Sequence, residues 1–420
     1  MRYRRDLPLW AGPCFLTMIK TTGITAEYDP LHNGHVYLIE QARALTQCDA
    51  IAVAMSGDYV QRGEPAMLDK WTRCRMALDA GADLVVEIPV QFCLGNAAQY
   101  ASASVSLLEA LGCSQIAFGS ESGDVELLKN TAHFLVEEKE AIDARISELI
   151  KDGISYPAAR AQAYWLAQDL SGSAMLPGEA DILSSPNDIL ALEYIKNMKS
   201  AEPVCVKRQG AGYSEGFDES MQFQSASAIR EAVRDGSFSE TVKQYMPETA
   251  YKALCDGTKT FNDDWVSLLK YAAMSISAEA AEDLPSAGEG LGGLIKTSAR
   301  DNSSWEEIVL GAKSKRYTYT RISRLCMQMI LGIRRSMYSM ESPAYVRVLG
   351  FSDKGRELLS GLKKEGCVLP VITNINKEAS RLSEDARRML DLDVFAADIY
   401  NMITGRGKEL SDHVMRPVIK

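Results

Sequence analysis

The chain has 420 residues, of which 46% are hydrophobic and 24% charged, and its formal net charge is −10. This composition is ordinary for a soluble globular protein, the length favours two domains, and the acidic balance by itself argues against a nucleic-acid partner. No apolar run approaches the roughly 20 residues of a membrane helix. The nine cysteines are scattered, with no Cys-x-x-Cys pair. Because this usage is typical of a reducing compartment, we expect a cytoplasmic protein.

The first 17 residues combine three arginines with a short apolar run that Pro8, Gly12 and Pro13 interrupt. The run is too short and too broken for a signal peptide, and no convincing cleavage site follows it. We therefore expect residues 1–17 to be an extension outside the fold.

Residues 18–240 alternate between β-prone runs and helical patterns. The predicted strands are residues 21–26, 50–55, 84–88, 115–118 and 203–207. The run at 50–55 is continuously apolar and the run at 84–88 nearly so, as buried parallel strands are. The alternation predicts an α/β domain with a doubly wound, parallel, five-stranded sheet.

Residues 241–420 are predicted to form a second, mainly helical domain. A Gly-, Pro- and Ser-rich stretch at residues 283–293 indicates a loop, and residues 313–337 are a candidate long helix. Two β-like runs, at residues 345–350 and 368–373, indicate a small mixed subdomain after it.

The stretch from Gly23 to His35 joins the first strand to the first helix through Asp-Pro and His-x-Gly-His. α/β proteins bind phosphates at such a strand-to-helix turn. His32 and His35 are three residues apart, so in a helical turn both imidazoles point the same way and can stabilise charge on a phosphoryl group. The alternatives are a surface turn or half of a metal site.

A second candidate anion site is Ser225-x-Ser227-x-Ile229-Arg230 at a predicted helix start. Hydroxyl groups and free backbone N–H groups at a helix N-terminus hold anions well. An ordinary N-cap is the alternative, which the pattern alone favours. No Gly-x-Gly-x-x-Gly or P-loop pattern is present, which argues against dinucleotide redox chemistry and kinase-type phosphate loops.

Basic residues follow the second strand, where Arg62, Lys70 and Arg73 are candidates for contact with phosphates or RNA. A denser group lies between Lys313 and Arg335, which holds seven basic side chains and no acidic one. Arg and Lys bind phosphates and Tyr stacks on bases, so this segment is a candidate RNA-binding face. Its predicted RNA-binding residues are Lys313, Lys315, Arg316, Arg321 and Arg324. The alternative is an amphipathic helix with a solvated basic face.

The His-x-Gly-His stretch resembles the signature of class I nucleotidyltransferases, which act at the α-phosphate of a nucleotide. The longer pattern resembles more closely the bacterial tRNA(Met) cytidine acetate ligases. Five further stretches carry this resemblance in order: Ser-Gly-Asp-Tyr-Val-Gln-Arg-Gly-Glu-Pro-Ala at 56–66, Phe-Gly-Ser-Glu at 118–121, Pro-Asn-Asp-Ile-Leu at 186–190, Lys-Arg-Gln-Gly-Ala-Gly-Tyr at 207–213 and Lys-Arg-Tyr-Thr at 315–318.

The resemblance implies a nucleotidyltransferase-like (HUP-type) sheet that binds ATP, with His32 and His35 as catalytic residues. The implied ATP-binding residues are Thr25, Ala26, Glu27, Tyr28, Asp29, Pro30, Leu31, His32, Asn33, Gly34, His35, Gly119, Asn187, Lys207, Arg208, Ser225, Ser227 and Arg230. No resident metal site is implied, although Mg²⁺ is expected to accompany ATP.

The resemblance also implies a two-step ligase reaction. Acetate attacks the α-phosphate of ATP, and the acetyl group then passes to the wobble cytidine in the anticodon loop of elongator tRNA(Met). Two alternatives remain open from the sequence: a nucleotidyltransferase acting on a small molecule, and a non-catalytic RNA-binding protein with a relic nucleotide fold.

Overall fold

The computed structural model describes residues 19–154, 156–171, 178–209, 223–314 and 317–420. The predicted extension, residues 1–17, lies outside the described residues. The strands, in chain order, are β1 (Thr21–Ala26), β2 (Ala50–Ser56), β3 (Tyr59–Val60), β4 (Glu64–Pro65), β5 (Leu84–Ile88), β6 (Gln115–Ser120), β7 (Glu202–Lys207), β8 (Val346–Phe351), β9 (Val371–Ile372) and β10 (Val418–Ile419).

The α-helices surround this sheet and form most of the second half of the chain. They are α1 (Asn33–Thr46), α2 (Lys70–Asp79), α3 (Val90–Cys93), α4 (Ala97–Ala110), α5 (Val125–Glu137), α6 (Lys139–Lys151), α7 (Tyr156–Ser171), α8 (Glu179–Ser184), α9 (Pro186–Asn197), α10 (Ala226–Arg234), α11 (Glu248–Asp256), α12 (Val266–Ser275), α13 (Ala278–Glu282), α14 (Leu291–Asp301), α15 (Trp305–Ala312), α16 (Tyr319–Leu331), α17 (Asp353–Glu365), α18 (Ile375–Glu378) and α19 (Glu384–Ile403). Short 3₁₀ turns lie at Glu240–Tyr245, Asn262–Trp265, Arg335–Ser339, Ala379–Arg381 and Lys408–Leu410.

The main sheet has a parallel centre in the order β5-β2-β1-β6-β7. These are the five predicted strands, so the predicted parallel sheet is confirmed. Every residue of β2 and β5 is buried, which explains why both are apolar except for Ser56 and Glu87. Because β1, β6 and β7 are parallel, the turns that follow them meet at one edge of the sheet.

The two C-terminal β-like runs extend this sheet, so the prediction of a separate small mixed subdomain is wrong. β8 pairs antiparallel with β5, and β9 and β10 both pair parallel with β8. The physical reason is that β5 ends the parallel set with unpaired backbone groups. β8 satisfies those groups and buries five of its own six residues in doing so.

The prediction that the second half is mainly helical is confirmed. Its helices α12, α14, α15 and α16 pack around a separate apolar core that contains Trp265 and Trp305. The predicted long helix over residues 313–337 is wrong in its length. Thr318 caps the start of α16, accepting a hydrogen bond from the Arg321 N–H, and Gly332 ends the helix with a φ of 65°. A left-handed residue such as this glycine is a common helix terminator.

None of the helices among the described residues is both long and apolar enough to cross a membrane. The cysteines of the described residues are free thiols, and most of them are buried. Buried thiols of this kind behave as small apolar groups in the core.

Candidate active site

A cavity of about 360 Å³ lies at the carboxyl edge of the parallel sheet, beyond the ends of β1, β6 and β7. Pockets that bind small ligands are usually of this size or larger. Fifteen of the eighteen predicted ATP-binding residues line it. They are Thr25, Ala26, Glu27, Tyr28, Asp29, His32, Gly34, His35, Gly119, Asn187, Lys207, Arg208, Ser225, Ser227 and Arg230.

The other three predicted residues, Pro30, Leu31 and Asn33, are not among the lining residues. Leu31 is fully buried in the apolar core. The Asn33 side chain donates instead to the Gln244 carbonyl, at 2.8 Å. These residues therefore support the turn that presents His32 rather than form the cavity wall.

The two histidines form a hydrogen-bonded pair at the start of α1. Gly34 N–H donates to Nδ1 of His32 at 3.1 Å, and His32 N–H donates to Nδ1 of His35 at 3.2 Å. The ring centroids are 3.9 Å apart. A neutral imidazole that accepts at Nδ1 carries its proton on Nε2, so each ring has an Nε2–H group to donate.

Both imidazoles are held neutral by their surroundings. Burial, together with the charge of Arg208, lowers the pKa of His35 to about 3. Burial, then the adjacent titratable ring of His35 and the charges of Arg208 and Arg230, hold the pKa of His32 well below its usual range. The pair therefore consists of neutral donors, which suits the binding of a phosphoryl oxygen without a proton transfer.

Gly34 is required at its position because the His32 ring lies directly over it. A Cβ added at Gly34 would lie 2.9 Å from Cε1 and 3.0 Å from Nδ1 of His32. A larger residue would push the imidazole away from the α1 start, which explains the glycine between the two histidines.

The second predicted motif forms the start of α10, across the cavity from α1. Ser225 is the N-cap, and its Oγ accepts a hydrogen bond from the Ala228 N–H at 3.1 Å. Arg230 donates to the Asp29 carbonyl at 2.6 Å and to Ser227 Oγ at 3.4 Å. The ordinary N-cap is therefore formed, and Arg230 ties α10 to the turn after β1, while the anion site at this helix start stays a prediction.

A third group lies where β6 and β7 end. The Glu121 carboxylate accepts hydrogen bonds from the side chain and backbone of Asn187 at the start of α9. Arg208 reaches Asn187 Oδ1 at 3.5 Å, and its Cγ would lie 3.3 Å from a Cβ at Gly119. The predicted residues Gly119, Asn187 and Arg208 are thus brought together on one side of the cavity.

Sequence reasoning missed the aromatic part of the wall. Tyr37 and Phe223 lie with their ring centroids 5.7 Å apart, and Gln209 donates to the Tyr37 hydroxyl at 2.9 Å. Tyr100 and Tyr194 line the cavity from α4 and α9. Aromatic residues in a helical pattern are usually interpreted as part of the core. The available signal was their closeness to the predicted motifs, because Tyr37 lies two residues after His35 and Phe223 two residues before Ser225.

Of the basic residues after β2, only Arg62 lines the cavity. Lys70 is buried, with its Nζ 2.8 Å from both Glu87 Oε1 and Asp412 Oδ2. Arg73 is fully buried and donates to the backbone carbonyls of Glu27, Ser56 and Gly57. The predicted contact of Lys70 or Arg73 with phosphate or RNA is therefore wrong, because internal partners hold both cations.

Those of the predicted RNA-binding residues that the structure describes do not share one solvated basic face. Lys313 is exposed, whereas Lys315 and Arg316 lie outside the described residues. Arg321 stacks on Tyr317 and donates to the Ser286 carbonyl at 3.0 Å.

Arg324 is buried and donates to the Gln61 carbonyl at 3.2 Å. Arg334 and Arg335 likewise donate to backbone carbonyls of the preceding helices. Part of the charge run thus serves packing of the helical half, because guanidinium groups supply the donors that loop carbonyls need there.

Within the described residues, no group of three or more His, Cys, Asp and Glu side chains is placed to hold a metal ion. Among the described residues, the carboxylates that line the cavity are those of Glu27 and Asp29. Each accepts a backbone hydrogen bond through one oxygen, from Gln61 and from Met67 respectively.

Comparison with known proteins places this geometry in a family. Residues 19–413 match the HIGH Nucleotidyl Transferase family. The chain is 35% identical over 406 residues to the tRNA(Met) cytidine acetate ligase of Clostridium perfringens, which covers 95% of this chain and 99% of that protein. It is 34% identical over 399 residues to the Lysinibacillus sphaericus protein of the same name, covering 93% and 96%.

Two solved structures of a related protein indicate the same family as the sequence relatives do. The crystal structure of Thermotoga maritima TmcAL bound with alpha-thio ATP is 31% identical and superimposes with a TM-score of 0.86, covering 95% of this chain and 99% of that one. The apo form of the same protein gives a TM-score of 0.87. The chain therefore belongs to the HIGH nucleotidyl transferase family and, within it, to the tRNA(Met) cytidine acetate ligases.

Proposed function

We propose that this protein binds ATP in the cavity, activates acetate with it, and acetylates the N4 amine of the wobble cytidine of elongator tRNA(Met). The observation that carries the proposal is that the pair of neutral imidazoles and the α10 start line one cavity. Support comes from the activity for which the relatives are named and from the ATP analogue in the Thermotoga maritima structure.

In the first step an oxygen of acetate forms a bond to the α-phosphorus of ATP. The bond from that phosphorus to the bridging oxygen breaks, and the electron pair leaves with pyrophosphate. His32 and His35 donate from Nε2 to the α-phosphoryl oxygens, where negative charge develops. The α10 start and Arg230 hold the departing phosphates, because a helix N-terminus and a guanidinium both favour anions.

In the second step the exocyclic N4 amine of cytidine attacks the acetyl carbonyl carbon. The bond from that carbon to the adenylate oxygen breaks, AMP leaves, and the amine loses one proton. This chemistry needs no covalent intermediate on the protein.

Mg²⁺ is expected to enter with ATP, because Mg²⁺ is usually bound by substrate phosphates together with one or two carboxylates. Among the described cavity residues, Glu27 and Asp29 carry carboxylate oxygens of the kind that Mg²⁺ takes. When bound, the ion neutralises charge on the leaving pyrophosphate.

The neutrality of the histidine pair predicts the pH dependence of adenylate formation. A lowered pKa means that the imidazoles gain charge only in strongly acidic solution, near pH 3 for His35. Turnover between pH 8 and about pH 5 should therefore show no loss from imidazole protonation, which for an unperturbed histidine is half complete near pH 6.5. An acidic limb with a pKa near 6.5 that disappears in His35→Asn would contradict this expectation.

The RNA-binding role of the segment 313–316 is a separate prediction. Changing Lys313, Lys315 and Arg316 together to Ala should weaken tRNA binding and lower its salt slope by about one for each phosphate that the segment no longer neutralises. Acetate-dependent pyrophosphate release without tRNA should be unchanged. Binding equal to that of the parent at all salt concentrations would assign tRNA docking to another surface. Arg321 is left intact because its hydrogen bond to the Ser286 carbonyl gives it a packing role.

Pyrophosphate release from ATP, measured with and without acetate and with and without tRNA, tests the proposed function. We expect release that requires acetate, with AMP accumulating only when tRNA is added. A nucleotidyltransferase for another small molecule would release no pyrophosphate with acetate, and a non-catalytic RNA-binding protein would bind tRNA without any turnover.

A further inference from the structure

The loop that follows β6 and the first turn of α9 are joined by two carboxylates, one from each segment. Asp188 of α9 is 1% exposed, and it accepts hydrogen bonds from the Ser120 hydroxyl and, at 3.0 Å, from the Ser122 N–H. Glu121 accepts in the opposite direction, from the backbone N–H groups of Asn187 at 3.3 Å and Asp188 at 3.0 Å. These contacts hold the start of α9 against the end of β6.

Glu121 supplies the hydrogen-bond acceptor that the start of α9 otherwise lacks. The N-cap residue Ser185 makes no side-chain hydrogen bond, and Pro186 at the first helical position has no N–H group. The next two N–H groups, those of Asn187 and Asp188, are the ones that Glu121 accepts. The helix dipole also favours a carboxylate at this end. Glu121 therefore stabilises the helix start, whatever the cavity binds.

A further hydrogen bond of Glu121 is made to a side chain of the cavity wall. Asn187 Nδ2 donates to Glu121 Oε1 at 2.5 Å, and Asn187 Oδ1 accepts from Arg208 Nη1 at 3.5 Å. Asn187 and Arg208 line the cavity, whereas Glu121 is not among the lining residues. Glu121 is therefore connected to the cavity through the Asn187 amide.

The two partners determine which end of the Asn187 amide faces which neighbour. A carboxylate can only accept a hydrogen bond, so the NH₂ end of the amide must face Glu121. A guanidinium can only donate, so the oxygen end must face Arg208. The opposite orientation would place acceptor against acceptor and donor against donor. The amide oxygen, which has two lone pairs, is therefore the end that Asn187 offers to a ligand in the cavity.

We propose that Glu121 is a positioning residue for ATP, which holds the Asn187 oxygen as an acceptor for one hydrogen-bond donor of the nucleotide. The inference rests on the proposed function, in which the cavity binds ATP. Outside its phosphates ATP has donors of two kinds, the ribose hydroxyls and the exocyclic amine of adenine. Both present the same chemistry to a carbonyl oxygen, and analogues that lack one or the other distinguish between them.

The test is the dissociation constant of four nucleotides, measured by calorimetry on the full chain without acetate or tRNA. The nucleotides are ATP, 2′-deoxy-ATP, 3′-deoxy-ATP and purine riboside triphosphate, which lacks the exocyclic amine. The parent should bind one of the three analogues roughly 10-fold more weakly than ATP, because the Asn187 oxygen then has no donor to meet. That analogue identifies the group that Asn187 contacts.

Glu121→Gln should raise the dissociation constant for ATP roughly 10- to 100-fold, the cost of leaving like polar groups opposed. The new side chain keeps an oxygen for the Asp188 N–H, but its NH₂ group faces Asn187. The Asn187 amide then turns over and presents a donor to the donor of ATP. The analogue that lacks this donor should lose no further affinity. Glu109→Gln is the matched control, because Glu109 accepts the N–H groups of residues 199–201 and does not line the cavity.

A combined change, Glu121→Gln with Asn187→Asp, exchanges donor and acceptor between the two positions. The amide at position 121 donates to one carboxylate oxygen at position 187, and the other oxygen again faces the cavity as an acceptor. Affinity for ATP should recover most of the loss. Asn187→Asp alone should bind ATP weakly, because it places two carboxylates side by side.

Asn187→Leu makes the comparison in a protein whose α9 start is intact. It removes the amide but keeps the backbone contacts of Glu121, so it should show the same selective loss of affinity for ATP.

Several outcomes would overturn the inference. Glu121→Gln with the parental dissociation constant for ATP, or with all four nucleotides weakened by one factor, would leave Glu121 only its role at the start of α9. Equal binding of the four nucleotides by the parent, or no recovery in the combined variant, would remove the Asn187 oxygen as the acceptor. A parent protein that does not bind ATP would contradict the proposed function itself rather than the role of Glu121.

Discussion

Replacing His35 with Asn should lower kcat for acetate-dependent ATP turnover roughly 10²- to 10³-fold, the usual loss for one donor to a developing oxyanion. The Asn Oδ1 takes the place of Nδ1, which accepts from the His32 N–H, so the turn should survive. What is lost is the Nε2–H donor. KM for ATP should change little, because the charge that this donor meets develops mainly in the transition state.

His32→Asn should give a loss of the same size. Asn is also a good N-cap, so the contact to the Gly34 N–H and the start of α1 are kept. His413→Asn is the matched control, because His413 is exposed and bonds to Asn376 in the C-terminal segment. Near-parental kcat in both active-site variants would remove the histidines from the mechanism.

The second large effect concerns stability. Replacing Lys70 with Met should lower the free energy of unfolding by about 3–5 kcal/mol, the cost of breaking a buried ion pair on one side. Lys70 is 1% exposed, and its ammonium group is shared by Glu87 of β5 and Asp412 near the C-terminus. Without it, two carboxylates are left buried close together. Urea unfolding of parent and variant measures the difference.

Two comparisons make this result specific. Lys139→Met removes an exposed pair with Asp143 and should leave the free energy of unfolding nearly unchanged. Burial already raises the pKa of Glu87, and Lys70 opposes that rise. In Lys70→Met the pKa of Glu87 should therefore rise further above its unfolded value, so the folded state takes up a proton first. The deficit should therefore shrink as the pH falls from 7 towards 5. A deficit that stays constant over this range would show that packing, not charge, is responsible.

The parallel centre of the fold was predictable because buried strands have local signatures. β2 and β5 are short apolar runs between turn residues, and each is followed by a helix pattern. The pairing of β8 with β5 was not predictable in the same way. It joins Val348 to Val86 across most of the chain, and nothing in either run specifies its partner. The backbone groups at the edge of a parallel sheet can pair with any later β-strand that reaches them.

The site was predictable where spacing alone constrains geometry. His-x-Gly-His brings two rings together within one helical turn, and Ser225 to Arg230 span one helix start. The roles of Lys70, Arg73 and Arg324 were not predictable. The sequence alone does not distinguish a solvent-exposed cation from one that binds a buried carbonyl or carboxylate. The partner of Arg324, the Gln61 carbonyl, lies on a hairpin far away in the sequence.

The most direct test of the central claim follows the oxygen atoms of acetate. With ¹⁸O-labelled acetate, ATP and tRNA, attack on the α-phosphate followed by acyl transfer leaves one ¹⁸O atom in the released AMP. Mass spectrometry of the AMP should show that single label, with N4-acetylcytidine formed in the tRNA in equal amount. Unlabelled AMP, or ¹⁸O found in inorganic phosphate, would contradict activation of acetate at the α-phosphate.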